Sequence, residues 1–181
     1  MPYLQTACTI ETDRLILRAP LWEDVDSLAA IFGDPVAMRT YFFGKPYGRR
    51  DVLAMLPAVA DHYAMHGFGA LTMCLKPFGT IVGLTGLSYV PSFANVQLGW
   101  VLAKEYWRRG FAFESGTALL GHAFDVRRLR CVEATTRVDN SAAIATIERL
   151  RMQRGALYHE SGVEFVRYRT HLETARLLKK T

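Results

Sequence analysis

The sequence lacks the cysteine patterns of disulfide-rich and zinc-binding proteins. Its 181 residues contain three cysteines, Cys8, Cys74 and Cys131, which form neither an even framework nor a CxxC pair. No apolar run approaches the ~20 residues that a membrane-spanning helix needs, and the first residues show neither a basic leader nor an apolar signal core. We therefore expect a soluble, uncleaved protein of the reducing cytoplasm, with no metal and no membrane partner.

The sequence also lacks a strong charge of either sign. Lysine and arginine number 22 against 17 acidic residues, a formal charge of +5, and the basic residues are dispersed apart from adjacent pairs such as Arg108-Arg109. So mild an excess does not by itself indicate nucleic acid, which we do not expect as a partner. It suits an anionic cofactor or an acidic acceptor equally well, and many soluble proteins carry such a charge with no partner.

Internal repeats and low-complexity tracts are absent as well. Half of the residues are apolar (50%), and a chain of this length normally builds one continuous core. We expect a single domain over residues 1–181, with a core of about 10–172.

Apolar periodicity and turn residues predict strands interspersed with helices. Strands are expected at residues 14–19, 68–76, 80–90, 95–103, 130–138, 156–159 and 163–170. Helices are expected at about 21–32, 49–66, from 110 onwards and 141–151. Pro57 should break or kink the second helix, because proline has no N–H for an interior helical hydrogen bond. This order predicts a mixed α/β fold with a three-stranded antiparallel meander before its central helix.

The most informative segment is NVQLGWVLAKEYWRRGFAFESGTALL, a predicted strand, then a polar loop, then a helix that opens at Gly110. Backbone N–H groups at a helix start have no intrahelical partner and carry about half a positive charge, which suits a pyrophosphate. The predicted anion contacts are these amides and two arginine side chains: Arg108, Arg109, Gly110, Phe111, Ala112 and Phe113. An ordinary glycine cap with two solvated arginines is the alternative interpretation.

Four blocks together resemble the GNAT acetyltransferases, in the form of the RimJ/RimL-type N-acetyltransferases. WRRGFAFES resembles the phosphate loop W-x-x-G-x-A-x-E, and QLGWVL resembles the preceding aliphatic-Gly-aromatic strand. TTRVDNSAAIATIERL resembles the strand-Asn-helix segment, and ETDRLILRAP with WEDVDSLAAIFGDP resembles the first strand and helix. The resemblance covers about residues 10–170. Trp107 stands at the Gln or Arg place of the motif, Ala143 at a serine place, and Arg151-Met152 at a Gly-Phe place.

The resemblance implies an α/β (α+β) fold, with a mixed, mostly antiparallel sheet of about seven strands and helices on both faces. It implies a V-shaped splay between the fourth and fifth strands, in which the pantetheine arm of acetyl-coenzyme A lies as a false strand. Backbone groups at Val101, Leu102 and Ala103, typically beside a bulge, would pair with the arm and polarise the thioester carbonyl. Asn140 would contact the arm from the other side, although asparagine before a helix is also a good N-cap.

The implied activity is acetyl-CoA-dependent N-acetylation of a primary amine, by direct attack in a ternary complex. Proton-transfer groups are poorly marked, since Ile147 stands near the place of a family tyrosine and Gln97 near that of a family carboxylate. The remaining catalytic candidates are Ser141, Glu133 and His66. For Glu133 a structural ion pair is the alternative, and His66 is a candidate substrate contact or water-bridged base.

Without a strong base the pKa of the acceptor matters. An α-amine with a pKa near ~8 needs about 1.4 kcal/mol for deprotonation at neutral pH, against roughly 4.6 kcal/mol for a lysine near ~10.4. We therefore expect a protein N-terminal α-amine or a small-molecule amine as acceptor. Two other functions stay open: a GNAT-like module that binds acyl-CoA as a sensor without turnover, and a basic domain that docks on RNA or the ribosome. Formation of a homodimer is left open too.

Overall fold

The structure is a computed structural model that describes residues 8–41 and 43–172. Its strands are β1 (Ile10–Glu11), β2 (Leu15–Arg18), β3 (Ala70–Leu75), β4 (Thr80–Val90), β5 (Asn95–Leu102), β6 (Cys131–Arg137), β7 (Gln153–Glu160) and β8 (Val163–His171). They form one eight-stranded sheet in the spatial order β1-β2-β3-β4-β5-β6-β8-β7. The helices are α1 (Val25–Gly33), α2 (Pro35–Met38), α3 (Arg49–His66), α4 (Phe111–Gly121) and α5 (Ser141–Arg149).

The predicted mixed α/β class with a mostly antiparallel sheet is confirmed. The sheet has one strand more than expected, because Ile10–Glu11 pairs with β2 along only two residues, too few to show a periodicity in the sequence. None of the helices among the described residues combines the length and the apolar character needed to cross a bilayer.

Of the predicted break or kink at Pro57, the break is wrong, since α3 is one helix with Pro57 inside it, and a kink is compatible with this helix. An interior proline costs a helix about 3 kcal/mol because one hydrogen bond is lost and the ring crowds the preceding turn. Packing on both sides of the proline offsets this cost: Val52 is buried before it and Tyr63 after it. The helix then ends at Gly67, whose φ of 72° is left-handed and whose N–H donates to the Tyr63 carbonyl.

Helices cover both faces of the sheet, as expected. On one face, α1 and the start of α3 pack on the strands through a cluster that includes Val25, Leu28, Phe32, Val52, Leu84 and Val101. On the other face, α4 and α5 pack on a larger cluster that includes Leu17, Met73, Leu98, Leu119, Phe124, Val132, Ile147 and Tyr168. We call these the α1 face and the α4 face.

The predicted splay lies between β5 and β6, the fourth and fifth of the strands expected from the sequence. β4 pairs with β5 in a continuous register, from Gly83 opposite Leu102 to Val90 opposite Asn95. β5 and β6 are parallel and pair at one position alone, Gln97 opposite Glu133, near the start of each strand. Their carboxyl-terminal halves therefore separate. The continuous β4–β5 register shows no bulge beside Leu102, contrary to expectation.

Candidate active site

Two helices begin at the open end of the splay. α4 follows β5 and α5 follows β6, and the two strands are parallel, so both helix starts lie at the same edge of the sheet. Each helix start presents N–H groups and a partial positive charge. The gap between the strands is thus flanked by two sites that favour negative charge.

The loop before α4 presents unused amides. Gly110 is the N-cap with a left-handed φ of 82°, and Arg108 is also left-handed at 60°, so the chain turns sharply before the helix begins. The first helical bond is the one from Glu114 N–H to the Gly110 carbonyl, at 3.0 Å. Within the described part of the chain, the N–H groups of residues 109–113 donate no hydrogen bond. This row of amides lies where the sequence predicts the anion site.

A carboxylate clamp that the sequence did not indicate holds this loop in place. Glu114 accepts hydrogen bonds from the Thr12 hydroxyl at 2.5 Å, from the Arg14 N–H at 2.9 Å and from Arg14 Nε at 2.7 Å. Arg14 Nη1 also donates to the Arg109 carbonyl at 2.9 Å, and its guanidinium carbon lies 4.5 Å from the Phe111 ring centroid. Burial alone would raise the pKa of Glu114, but the hydrogen bonds from Thr12 and Arg14 outweigh it and lower the pKa.

The side chains of the predicted loop residues surround these amides. Arg108 and Arg109 are exposed, and Arg109 lies over the Tyr106 ring, 5.5 Å from its centroid. Phe111 is buried, whereas Ala112 and Phe113 are half-buried. Both arginines therefore remain available to an anion bound at the loop.

The backbone at the end of β5 is partly engaged within the protein. The Ala103 N–H donates to the Val82 carbonyl on β4 at 3.0 Å, and the Leu102 carbonyl accepts from Trp107 Nε1 at 2.9 Å. Backbone groups of successive strand residues point to opposite sides, so Trp100 and Leu102 turn theirs towards the gap. The predicted strand residues are all buried here: Val101, Leu102 and Ala103.

Asn140 lies across the gap from this strand end, at the start of α5. Its Oδ1 accepts a hydrogen bond from the Ala143 N–H at 3.1 Å, which makes it the N-cap. Its Nδ2 forms no hydrogen bond with the described residues. One side chain can therefore cap the helix through its oxygen and donate to a ligand through its nitrogen. Ser141, the next residue, is exposed.

Glu133 lies at the vertex of the splay, where β5 and β6 pair. It is 3% exposed; its Oε2 accepts from Gln97 Nε2 at 3.0 Å, and its Oε1 accepts from Arg169 Nη2 at 3.3 Å. Arg167 Nε lies 3.7 Å from Oε2, and the Thr135 hydroxyl donates to Gln97 Oε1 at 3.1 Å. Both carboxylate oxygens thus face partners, as in the structural ion pair that was the alternative for this residue.

His66 lies at the end of α3 among aromatic rings. Its ring centroid is 4.5 Å from that of His62, 5.8 Å from Phe68 and 5.1 Å from Tyr89, and its carbonyl accepts from Arg127 Nη2 at 2.9 Å. His62 Nε2 accepts from the Tyr89 N–H at 2.9 Å, and burial lowers the pKa of His62. These contacts tie the two histidines to the surrounding backbone and rings.

The structure does not bring the three catalytic candidates together. Glu133 is on β6 at the vertex, and Ser141 is at the open end of the splay. His66 contacts Tyr89 on β4, a strand that pairs with β5 on the side away from β6. Ile147 is buried in the core, so α5 offers no hydroxyl at that place. Among the residues that the structure describes, no group of three or more His, Cys, Asp or Glu side chains is placed to hold a metal ion.

Tyr158 is a polar neighbour of the vertex that sequence reasoning missed. It lies on β7 and stacks on Phe165 with ring centroids 5.3 Å apart. Burial and the charge of Glu160 raise the pKa of Tyr158 against the opposing effects of Arg167 and the Thr135 side chain. The apolar pattern of β7 predicts a strand but does not indicate which strand lies beside it. Tyr158 comes near Thr135 because β8 lies between β6 and β7 in the sheet.

Known proteins share this architecture. The model of the acetyltransferase (GNAT) domain matches residues 14–153. An uncharacterized N-acetyltransferase p20 of Bacillus licheniformis is 24% identical over 157 residues, which cover 84% of this chain and 86% of that protein.

Two solved structures extend the comparison. The acetyltransferase from Agrobacterium tumefaciens strain C58 is 27% identical with a TM-score of 0.80, covering 91% of this chain and 94% of that one. RimL, a ribosomal L7/L12 alpha-N-protein acetyltransferase solved in complex with coenzyme A, has a TM-score of 0.77 at 16% identity, covering 92% and 99%. The family model spans most of this chain, which therefore belongs to the GNAT acetyltransferase family.

Proposed function

We propose that this protein is an acetyl-CoA-dependent N-acetyltransferase that acts on a protein N-terminal α-amine or a small-molecule amine. The observation that carries the proposal is the row of unbonded amides at residues 109–113, beside a gap between two parallel strands. A diphosphate is the group that such a row binds well. The gap would take up an extended arm whose amides pair with a strand edge.

The residues present fit coenzyme A. The amides of residues 109–113 with Arg108 and Arg109 would bind the diphosphate, and Gly110 keeps a Cβ out of its path. Backbone groups of Trp100 and Leu102 would pair with the arm, and Asn140 Nδ2 would donate to it. Placement in the RimJ/RimL-type branch is part of the proposal, supported by the loop WRRGFAFES.

The reaction needs little from side chains. The amine nitrogen attacks the thioester carbon, the C–S bond breaks, and the thiolate leaves with the proton that the amine gives up. A β5 N–H facing the gap would stabilise negative charge on the carbonyl oxygen, a contribution of about 3 kcal/mol in well-characterised enzymes. Ser141, Glu133 and His66 remain the proposed catalytic candidates, with His66 as a substrate contact or a water-bridged base.

An acyl-CoA sensor without turnover is the second candidate function. Three observations favour it: Ile147 is buried, Glu133 is ion-paired, and the Ser141 hydroxyl at the helix start forms no hydrogen bond with the described residues. A module of this kind would bind the cofactor through the same loop. A single domain and a cytoplasmic location are common to both proposals, and a homodimer is compatible with either.

Two measurements on the purified protein test the proposal. Calorimetry should detect binding of coenzyme A and acetyl-CoA, and a thiol-release assay should detect turnover. The matched acceptors are one peptide with a free α-amine and no lysine, the same sequence with a blocked α-amine and one lysine, and a set of small amines. We expect turnover of the α-amine peptide or a small amine above the lysine peptide. Absence of coenzyme A binding would refute the proposal, and binding without turnover of any amine would favour the sensor.

A further inference from the structure

A group of charged and aromatic side chains surrounds the splay vertex on the α1 face. We call it the Arg167 cluster: Phe93, Glu133, Tyr158, Arg167 and Arg169. Gln97 and Glu133 alternate along their strands with Val96, Leu98, Val132 and Ala134, which pack in the core of the α4 face. The cluster is therefore on the opposite side of the sheet from α4 and α5.

Arg167 is held in place without using its hydrogen-bond donors. Its guanidinium carbon lies 4.3 Å from the Phe93 ring centroid and 5.5 Å from that of Tyr158. Its Nε is 3.7 Å from Glu133 Oε2, too far for a hydrogen bond, and is buried without a partner. No side-chain nitrogen of Arg167 forms a hydrogen bond with any described residue, although a guanidinium carries five N–H donors. The side chain is 29% exposed, so a ligand can reach it.

The charges of the cluster do not balance. Two guanidinium groups, Arg167 and Arg169, face the one carboxylate of Glu133, and Arg169 takes the hydrogen bond to it. The next charges along β6 are Arg137 and Asp139, which form their own pair at 2.8 Å. Within the cluster one positive charge is therefore in excess, that of Arg167, whose side chain is 29% exposed; the further carboxylate near the cluster is Glu160, which acts on Tyr158. An anion that accepts hydrogen bonds from Arg167 would compensate the excess charge.

The cluster is adjacent to the proposed site of acetyl transfer. Arg167 is opposite Thr135 in the β6–β8 register, and the Thr135 hydroxyl donates to Gln97, the residue at which β5 and β6 pair. Gly99 lies two residues after Gln97 on the same face of β5. It is exposed, and a Cβ added there would have no atom within 4 Å. There is thus open space on this face between the gap and Arg167.

We propose that Arg167 binds an anionic group of the acceptor, so that the acceptor is an amine that also carries a carboxylate or a phosphoryl group. This inference rests on the proposed N-acetyltransferase function and narrows its substrate class. The adjacent Phe93 and Tyr158 rings, with centroids 5.9 Å apart, restrain the guanidinium, which reduces the entropy lost when the anion binds. An arginine that only stacks on the rings is the alternative, and it would give no preference for charged acceptors.

The test uses pairs of amines that differ in the anion. An amino acid is compared with its primary amide, and phosphoethanolamine with ethanolamine, with kcat/KM corrected for the fraction of free amine. We expect the wild-type protein to prefer the anionic member of at least one pair about tenfold or more, as charge-assisted hydrogen bonds would give. The pair that shows the preference identifies the anion. The preference should fall as salt is raised.

Two variants locate the preference. Arg167→Met should bring the ratio of the two kcat/KM values close to one. Arg154→Met is the matched control: Arg154 is exposed on β7 but opposite Tyr168, on the α4 face, and its loss should leave the ratio as in the wild type. Thermal unfolding and coenzyme A calorimetry show whether each variant is folded. If Arg167→Met does not fold, the inference is tested by the wild-type protein alone, through its kcat/KM ratio for anionic over neutral amines and the fall of that ratio with salt.

The inference is overturned if the wild-type protein acetylates both members of each pair equally, or if Arg167→Met keeps the preference. Failure of the proposed function would give another result, because the wild-type protein would then show neither coenzyme A binding nor turnover of any amine.

Discussion

At Gly110 the backbone adopts a φ of 82°, a left-handed conformation that costs residues other than glycine about 1–2 kcal/mol. A Cβ added there would also approach Arg14 Nη2 to 3.4 Å. Arg14 is the side chain that binds the Arg109 carbonyl and the Glu114 carboxylate. A substitution at Gly110 would thus strain the turn that presents the loop amides, at a position in contact with the clamp.

We predict that Gly110→Ala lowers the free energy of unfolding by about 1 kcal/mol and weakens coenzyme A binding by about tenfold, or ~1.4 kcal/mol. Gly162→Ala is the control, because Gly162 has a similar φ of 76° and open surroundings in the β7–β8 turn. It should cost a similar stability and leave coenzyme A affinity unchanged. Urea unfolding and calorimetry measure the two effects. Equal coenzyme A affinity of both variants would contradict a role of this loop in binding.

At the scale of single residues, local pattern was informative where the chemistry is local. The loop of residues 107–113 follows a strand and opens a helix, so its place and its unbonded amides could be predicted from the segment alone, while its role in binding stays a proposal. The clamp could not, because Glu114 and Arg14 are separated by 100 positions and nothing in either segment indicates the other. The same is true of Arg167, whose ring partners lie on β7 and in the turn after β4.

At the scale of elements, α5 combines a structural and a proposed binding role in one side chain. Asn140 Oδ1 caps the helix, while its Nδ2 is unused by the described residues. Replacement by alanine removes both groups, whereas replacement by aspartate keeps the cap oxygen and exchanges the N–H donor for a charged carboxylate oxygen. The two substitutions therefore separate the cap from the contact with the cofactor.

We predict that Asn140→Ala loses about 1 kcal/mol of stability, whereas Asn140→Asp stays within about 0.5 kcal/mol of the wild type. Both should weaken coenzyme A binding. Asp34→Ala is the control, since Asp34 caps α2 by accepting from the Val36 N–H at 2.7 Å; it should lose stability but not affinity. If Asn140→Asp bound coenzyme A as the wild type does, Asn140 would be a cap alone.

At the scale of the whole molecule, a buried ion pair joins the start of α1 to the sheet. Asp24 accepts from Arg18 at 2.6 and 2.8 Å, from the Leu21 N–H at 2.9 Å and from the Thr72 hydroxyl at 3.1 Å. Burial opposes ionisation of Asp24, but these donors outweigh it and lower its pKa. A lowered pKa means that the stabilisation is complete above the unfolded value of about 3.9 and is lost as the pH falls through the folded value.

We predict that Asp24→Asn destabilises the protein by about 3 kcal/mol at neutral pH, because it leaves Arg18 without its partner. The variant should also lose less stability than the wild type between about pH 4 and pH 2. Asp26→Asn is the control: its side chain is 78% exposed in a pair with Arg49, so it should cost less than about 0.5 kcal/mol. Urea unfolding over a pH series checks both variants. An unchanged pH dependence in Asp24→Asn would contradict the assignment.

The sequence by itself determined the α/β class, most strands and helices, and the loop of residues 107–113, because periodicity, turn residues and helix starts are local properties of the chain. Only the tertiary structure decided that α3 continues through Pro57, that β8 lies between β6 and β7, and that β5 and β6 meet at Gln97 and Glu133 alone. These outcomes depend on packing between segments far apart in sequence. The Arg167 cluster belongs to this second group, since three separate strands and a turn must come together before its unbalanced charge exists.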